Sequence, residues 1–138
     1  EDEELCLPAK ECNLPFVRLT APTTSNERLT TVLQNATGFI YYVSITGITG
    51  TKDVPIEIVT GAVGNLKEHS KLPIAVGFGL KTREQVEQVT RIADAAIVGS
   101  EVVNAIANNL DADGKAKPET IQTTLSLVRD LAAGVRGK

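Results

Sequence analysis

Residues 39–44 read Phe-Ile-Tyr-Tyr-Val-Ser, and this run is the strongest strand signal in the chain. Three shorter runs share its apolar character, at Phe16–Thr20, Leu72–Phe78 and Ala95–Gly99. Continuous apolar runs of this length are typical of strands that are buried on both faces of a parallel sheet. The four runs therefore predict four parallel strands.

Helical patterns lie between these strands. The segment after Pro55 repeats apolar residues at helical spacing, and Pro55 itself suits a first turn. Thr82–Gln85 has the signature of a capping box, and residues 3–13 also predict a helix, although Pro8 interrupts it. A last helix is predicted after Pro118, with an apolar stripe of Ile121, Leu125, Val128 and Leu131. The order is one helix followed by four βα units, which indicates an α/β fold.

Composition excludes several classes of protein. The 138 residues are 42% hydrophobic and 22% charged, with a net charge of −3, which predicts a single folded domain over residues 1–138 rather than disorder. No apolar run approaches the ~20 residues of a membrane helix, and the acidic balance argues against a nucleic-acid surface. The acidic opening Glu1–Glu4 is unlike a signal peptide. The sequence has no Met, from which we expect that the natural N-terminus is missing.

Cysteine and histidine content predicts neither a disulfide nor a metal site. Cys6 and Cys12 would lie about 9 Å apart on one helix, beyond the ~7 Å that a disulfide spans. Two reduced thiols are typical of a cytoplasmic protein. Together with the single His69, they provide too few ligands for a metal. His69 precedes a strand, so we expect it away from the ligand-binding edge.

Ligands of parallel β/α folds bind where the strands end. The stretches that follow the four predicted strands, at 20–24, 44–51, 77–80 and 99–100, contain hydroxyls and glycines but no charged side chain. Such residues, followed by a short helix at Glu101–Asn108, favour binding of a phosphate. The alternative is that the glycines only permit tight turns. The residue types provide neither an acid nor a base for catalysis.

Three ordered motifs, at 39–50, 72–79 and 96–100, closely resemble the tryptophan synthase α subunit, and the segment 16–24 fits the same family. The resemblance covers essentially the whole chain. It implies a partial TIM (β/α)8 barrel in which an N-terminal helix, helix four, is followed by βα units 5–8. A complete barrel needs about 250 residues, so the chain corresponds to a C-terminal half-barrel.

The resemblance also implies site residues. Ile45 replaces an Arg found in some members, which puts one loop charge contact in doubt. The family's catalytic Glu and Asp fall on and after the second barrel strand, so none is expected in this chain. The implied phosphate-binding residues are Gly50, Gly79, Gly99 and Ser100, and the implied substrate-binding residues are Tyr41, Thr49 and Phe78.

The family activity is a lyase reaction, the aldol cleavage of indole-3-glycerol phosphate to indole and glyceraldehyde 3-phosphate. The resemblance implies an α2β2 complex in the cytoplasm, in which pyridoxal phosphate belongs to the β subunit and this chain needs no cofactor. We expect the chain alone to be inactive. Two alternatives are another phosphosugar-binding β/α barrel enzyme and a non-catalytic half-barrel whose open sheet edges pair with a second copy.

Overall fold

A computed structural model describes residues 2–44, 56–77 and 79–136 of the chain. Within these ranges strands and helices alternate in the predicted order, after a π-helical turn at Asp2–Cys6. Pro8 lies in the first turn of the first helix, where its missing N–H removes no helical hydrogen bond. The elements are α1 (Leu7–Glu11), β1 (Arg18–Thr20), α2 (Asn26–Leu33), β2 (Ile40–Val43), α3 (Ile56–His69), β3 (Ile74–Gly77), α4 (Arg83–Thr90), β4 (Ala95–Ala96), α5 (Ser100–Ala107) and α6 (Thr120–Arg136).

The four strands form one parallel sheet in the order β1-β2-β3-β4. Each strand is shorter than the apolar run that predicted it, and β4 is the shortest of the four strands, ending at Ala96. The N–H of Ile97 still donates to the carbonyl of Val76 at 2.8 Å, after which the backbone leaves the sheet to begin α5 at Ser100. Apolar residues beyond β4 are therefore packed beside the sheet rather than paired in it.

One face of the sheet holds the hydrophobic core. Side chains alternate along β2, so Ile40 and Tyr42 point to the same side and are 0% and 2% exposed. On β3, Ile74 and Val76 pair with them in register and are equally buried. Helix side chains complete this core, namely Leu29, Val59, Val63, Leu66, Val86, Val89 and Leu131.

The opposite face of the sheet is open at its edge strands. Leu19 and Tyr41 are register partners on this face, and Leu19 is 62% exposed. Right-handed crossovers between consecutive neighbouring strands place all the connecting helices on one side of a sheet. The prediction that the strands are buried on both faces is thus wrong for β1 on this face, whereas all four residues of β3 are buried and agree with it.

Local helix signals in the sequence are reproduced in detail around α4. Thr82 Oγ1 accepts a hydrogen bond from the Gln85 N–H at 3.3 Å, and Gln85 Oε1 accepts from the Thr82 N–H, which completes the predicted capping box. Arg91 and Glu87 form the ion pair expected from their i,i+4 spacing, at 2.6 Å. These contacts need no tertiary partner, which is why the sequence predicts them.

The apolar stripe predicted for α6 is mostly exposed. Ile121, Leu125 and Val128 are 73%, 52% and 43% exposed, and only Leu131 joins the core. The helix packs on α4 through a different side: a Cβ built on Gly134 would lie 2.5 Å from the carbonyl oxygen of Arg83. Periodicity identifies the helix, but the position of α6 at the β4 end of the sheet leaves three of these side chains largely exposed.

No helix within the described ranges is long and apolar enough to cross a membrane. Cys6 is buried and Cys12 is exposed, and neither forms a disulfide. The Cys6 thiol donates to the carbonyl of Asn35 at 3.7 Å, which ties the opening helical segment to the end of α2.

Candidate functional site

The predicted site lies at the carboxyl edge of the sheet. Because all four strands are parallel, the residues that follow Thr20, Val43, Gly77 and Ala96 emerge at this same edge. His69 lies at the opposite edge, before β3, where its Nδ1 is 2.8 Å from the carbonyl oxygen of Asn65. The topology thus separates the lone histidine from the site, as predicted.

Tyr41 is placed on the open face of the sheet, next to Gly77. A Cβ built on Gly77 would lie 2.7 Å from the Tyr41 hydroxyl oxygen and 2.8 Å from Cε2, both closer than real Cβ contacts. The phenol ring therefore lies directly against the backbone of β3, in space that any side chain at Gly77 would occupy. This contact fixes the ring at the edge where ligands of parallel β/α folds bind.

Gly79 lies just beyond the end of β3 and has a φ of +73°. This left-handed conformation is one that residues with a Cβ rarely adopt, whereas glycine adopts it at no steric cost. A Cβ at Gly79 would meet nothing within 4 Å, so the glycine is explained by its backbone conformation and not by crowding. The exposed backbone at this turn is open to an approaching ligand.

Gly99 and Ser100 form the start of α5. Gly99 is the N-cap residue, and as a glycine it has no side-chain acceptor for the first N–H groups of the helix. A helix start of this kind attracts anions through its free N–H groups and the positive end of its dipole. Glu101, in the first turn, adds a negative charge that opposes anion binding. The glycine and the helix start thus point to an anion site that is weakened by one carboxylate.

Three of the seven predicted site residues lie outside the described residues, namely Thr49, Gly50 and Phe78. Ile45 and the rest of the Gly/Thr-rich loop at 46–51 also lie outside them. The structure therefore brings Tyr41, Gly79, Gly99 and Ser100 to one edge of the sheet and leaves the other three positions as predictions.

Sequence reasoning missed two features near this edge. One is Gly77, which the motif contains but whose role in accommodating Tyr41 becomes visible only in three dimensions. The other is a cavity of about 340 Å³ between α2 and α3, on the helix side of the sheet, lined in part by Thr20 and Tyr42. The hydroxyl oxygens of these two residues are buried and have no hydrogen-bond partner among the described residues. Burial also raises the pKa of Tyr42 above its ordinary value.

No group of His, Cys, Asp and Glu side chains in the described ranges could hold a metal ion. The arrangement at the edge can bind an anion through backbone groups and can place an aromatic ring beside it. Among the residues that the structure places there, Glu101 is the one carboxylate, and it lies in the first turn of α5.

The profile of the family described as "Tryptophan synthase alpha chain" matches residues 1–135. The chain belongs to this family. This match therefore favours the tryptophan synthase α family over the alternative, a different phosphosugar-binding barrel enzyme. In this family pyridoxal phosphate belongs to the β subunit and not to the α chain.

Solved structures agree with the family assignment. Tryptophan synthase subunit alpha from Legionella pneumophila is 29% identical with a TM-score of 0.81, over 100% of this chain and 48% of that one. A chain of Mycobacterium tuberculosis tryptophan synthase is 31% identical with a TM-score of 0.80, again over 100% and 48%. The subunit alpha of Campylobacter jejuni is 27% identical with a TM-score of 0.77, over 95% and 49%.

The chain spans about half the length of the solved chains that it matches. The parallel sheet with helices on one face is accordingly a partial TIM barrel, as expected from the sequence. The family membership supports a role in tryptophan biosynthesis.

Proposed function

We propose that this chain forms the phosphate-binding part of a tryptophan synthase α-type active site, together with one wall of its indole pocket. The substrate would be indole-3-glycerol phosphate, which a complete α subunit cleaves by an aldol reaction to indole and glyceraldehyde 3-phosphate. One observation carries the proposal: Gly79 and the Gly99–Ser100 helix start follow adjacent strands at the same edge where Gly77 positions the Tyr41 ring.

The phosphate would be held by backbone N–H groups. The open turn at Gly79 and the uncapped start of α5 provide donors from two neighbouring loops, and the helix dipole adds a favourable potential. Ser100 adds a hydroxyl at the same helix start, and Gly50 is proposed to contribute from the loop after β2. The described residues at the carboxyl ends of the strands, at 20–24, 44, 77, 79–80 and 97–100, include no Lys or Arg. Because Glu101 is also close by, we expect binding to be weak.

The indole ring would lie on the open face of the sheet. Tyr41 and Leu19 are adjacent on this face and offer an aromatic ring and an exposed aliphatic side chain. Phe78 and Thr49 are proposed to border the same pocket and to close over the substrate, respectively. The apolar wall and the phosphate site together match the two ends of the proposed substrate.

The proposed reaction needs an acid to protonate the indole ring and a base to deprotonate its nitrogen and the glycerol hydroxyl. Apart from Glu101, the described residues at this edge offer no such group, and we propose that the catalytic Glu and Asp belong to the other half of the barrel. The chain alone would then bind substrate fragments without cleaving them. The complete protein would pass indole to a β subunit that holds pyridoxal phosphate.

Binding of inorganic phosphate to the 138-residue chain, followed by amide chemical shifts in NMR spectra, tests the proposal. We expect the amides of Gly79, Gly99 and Ser100 to shift, and indole to shift the signals of Tyr41 and Leu19 instead. Phosphate shifts confined to other residues, or no shifts at either set of residues, would contradict the proposed site.

A matched pair of glycine variants separates binding from folding. Gly79 and Gly114 have φ values of +73° and +75°, and a Cβ would meet nothing within 4 Å at either position. Alanine should therefore cost about the same strain at both, on the order of 1–2 kcal/mol. Gly79→Ala should weaken phosphate binding and Gly114→Ala should not; equal effects would count against a site at Gly79.

An indole-release assay with the chain alone should detect no product.

A further inference from the structure

The cavity of about 340 Å³ between α2 and α3 has the size of a small-molecule site. Its walls come from two consecutive βα units, β1-α2 and β2-α3, and it lies between their helices rather than at an outer edge of the sheet. A single water takes up about 30 Å³, whereas ligand pockets typically measure about 300–1,000 Å³. The cavity is therefore much larger than a water site and falls within the range of sites for small organic molecules.

Small residues on one face of α3 produce this space. The residues of α3 that line the cavity recur at helical spacing and therefore share one face, namely Ile58, Gly61, Ala62, Asn65 and Leu66. This face is turned toward α2, because the Asn65 Nδ2 donates a hydrogen bond to the Asn26 Oδ1 at 2.9 Å. A Cβ built on Gly61 would meet nothing within 4 Å, so the glycine leaves room that a larger side chain would take.

The lining of the cavity is neutral. Its apolar part includes Leu29, Ala62 and Leu66, and its polar part includes the amides of Asn26 and Asn65. No Lys, Arg, His, Asp or Glu is found among the described residues that line it. Because an unpaired charge is costly to bury, this lining favours an uncharged ligand.

Two hydroxyl oxygens on the sheet side of the cavity have no hydrogen-bond partner among the described residues. They belong to Thr20 and Tyr42, which are register partners on β1 and β2 and are 3% and 2% exposed. Bulk water does not reach either oxygen, and buried polar groups in native proteins are nearly always paired. Thr20 can turn its hydroxyl toward the cavity by rotation about a single bond, χ1. A ligand with a hydroxyl group of its own would supply the missing partner.

We propose that this cavity binds a small uncharged molecule that has an apolar body and one hydroxyl group, of about the size of a phenol. Its hydroxyl would pair with those of Thr20 and Tyr42, and its apolar part would lie between Leu29 of α2 and Leu66 of α3. Tyr41 lies on the other face of the sheet. The site is therefore separate from the proposed phosphate and indole sites and does not depend on them.

NMR titrations of the purified chain with phenol, benzene and benzoate test the proposal. We expect phenol to shift the methyl signals of Leu29, Ala62 and Leu66 and to bind about 3- to 10-fold more tightly than benzene, the difference made by one net hydrogen bond. Benzoate should leave these signals unchanged because of its charge. Equal affinities for phenol and benzene would overturn the proposal, as would phenol shifts confined to Tyr41 and Leu19 on the other face. If water alone satisfies the two hydroxyls, phenol will not bind, and the proposal is wrong.

Two variants remove the hydroxyls one at a time. Thr20→Val and Tyr42→Phe nearly keep the shapes of the side chains, so the fold should be retained. Each should reduce the preference for phenol over benzene and leave the affinity for benzene unchanged. If the hydroxyls have only a structural role, both ligands will be affected equally, which would overturn the assignment of these two residues as ligand partners.

A matched pair of glycine variants in α3 locates the site. A Cβ would meet nothing within 4 Å at Gly61 or at Gly64, but of the two only Gly61 lines the cavity. Gly61→Leu should weaken binding of phenol and benzene alike by about 10-fold or more, because the leucine and the ligand compete for the same space. Gly64→Leu should leave both affinities unchanged. Equal affinities in the two variants would overturn the placement of the site between α2 and α3.

Discussion

Replacement of Gly77 by alanine tests how the sheet positions Tyr41. The new Cβ would be 2.7 Å from the Tyr41 hydroxyl oxygen and 2.8 Å from Cε2, so the ring must move. Forcing an extra methyl group into a packed contact costs typically 1–3 kcal/mol. Because the ring lies on the open face, it can move outward. We therefore expect the free energy of unfolding to fall by about 1 kcal/mol, at the lower end of this range. The same movement should weaken binding of indole beside Tyr41.

A double-mutant cycle measured by urea denaturation isolates this contact. In a Tyr41→Ala background the clash with the ring is absent, so Gly77→Ala should be clearly less destabilising there. Two effects then remain: alanine gains about 0.5–1 kcal/mol over glycine because it is less flexible in the unfolded chain, and the contact with Ile97, at 3.2 Å from the new Cβ, offsets part of this gain. Both effects are present in both backgrounds and cancel in the cycle, so the coupling measures the clash itself and is expected to be about 1–2 kcal/mol.

The control for this cycle is Gly64→Ala. Gly64 lies in α3, and a Cβ there would meet nothing within 4 Å, so alanine should stabilise the chain by up to about 1 kcal/mol whatever residue occupies position 41. If Gly77→Ala changes the free energy of unfolding equally with and without the Tyr41 ring, the proposed positioning of Tyr41 by Gly77 is refuted.

Three other substitutions have definite expected outcomes. Gly134→Ala should lower the melting temperature by several degrees, since its Cβ would lie 2.5 Å from the backbone oxygen of Arg83, which cannot rotate away; an unchanged value would contradict the close packing of α4 and α6. Tyr42→Phe should raise stability by about 1 kcal/mol in urea denaturation, because the buried hydroxyl has no partner among the described residues. Burial raises the pKa of Tyr42, so the neutral phenol contributes stability at pH values below its ordinary pKa that is lost as the pH rises through the raised value. This alkaline loss should be smaller in Tyr42→Phe, and an identical pH profile would refute the assignment. Glu101→Gln should strengthen phosphate binding in an NMR titration, because it removes a negative charge from the first turn of α5; weaker binding would place the anion elsewhere.

Local physical chemistry explains which parts of the fold could be predicted. The capping box at Thr82 and the helical spacing of Val59, Val63 and Leu66 depend on residues within a few positions of one another, and the structure confirms them. The four apolar runs correctly predict strands but overestimate their lengths. Apolar character indicates that a residue is buried, and it does not indicate that its backbone pairs with a neighbouring strand. Beyond β4, Val98 is packed beside the core without belonging to the sheet.

The candidate site was predictable where its chemistry resides in the backbone. Glycines at 79 and 99 mark a turn and a helix start in sequence, and the structure places them at one edge of the sheet. The sequence identifies Tyr41 as a candidate site residue, but it does not show on which face of β2 the ring lies. Gly77 could not be singled out, since the need for a glycine there comes from a ring on the neighbouring strand.

The sequence by itself determined the alternation of strands and helices, the family and the positions of the glycines proposed to bind phosphate, because these follow from short-range patterns. The tertiary structure decided which faces are buried. Consecutive right-handed crossovers place every connecting helix on one side of the sheet, so Leu19 and Tyr41 stay on an open face. The stripe on α6 is exposed for a related reason: the helix packs on α4 and α5, and of the stripe only Leu131 reaches the core. Burial depends on neighbours that are distant in the chain, and periodicity alone carries no information about whether those neighbours are present.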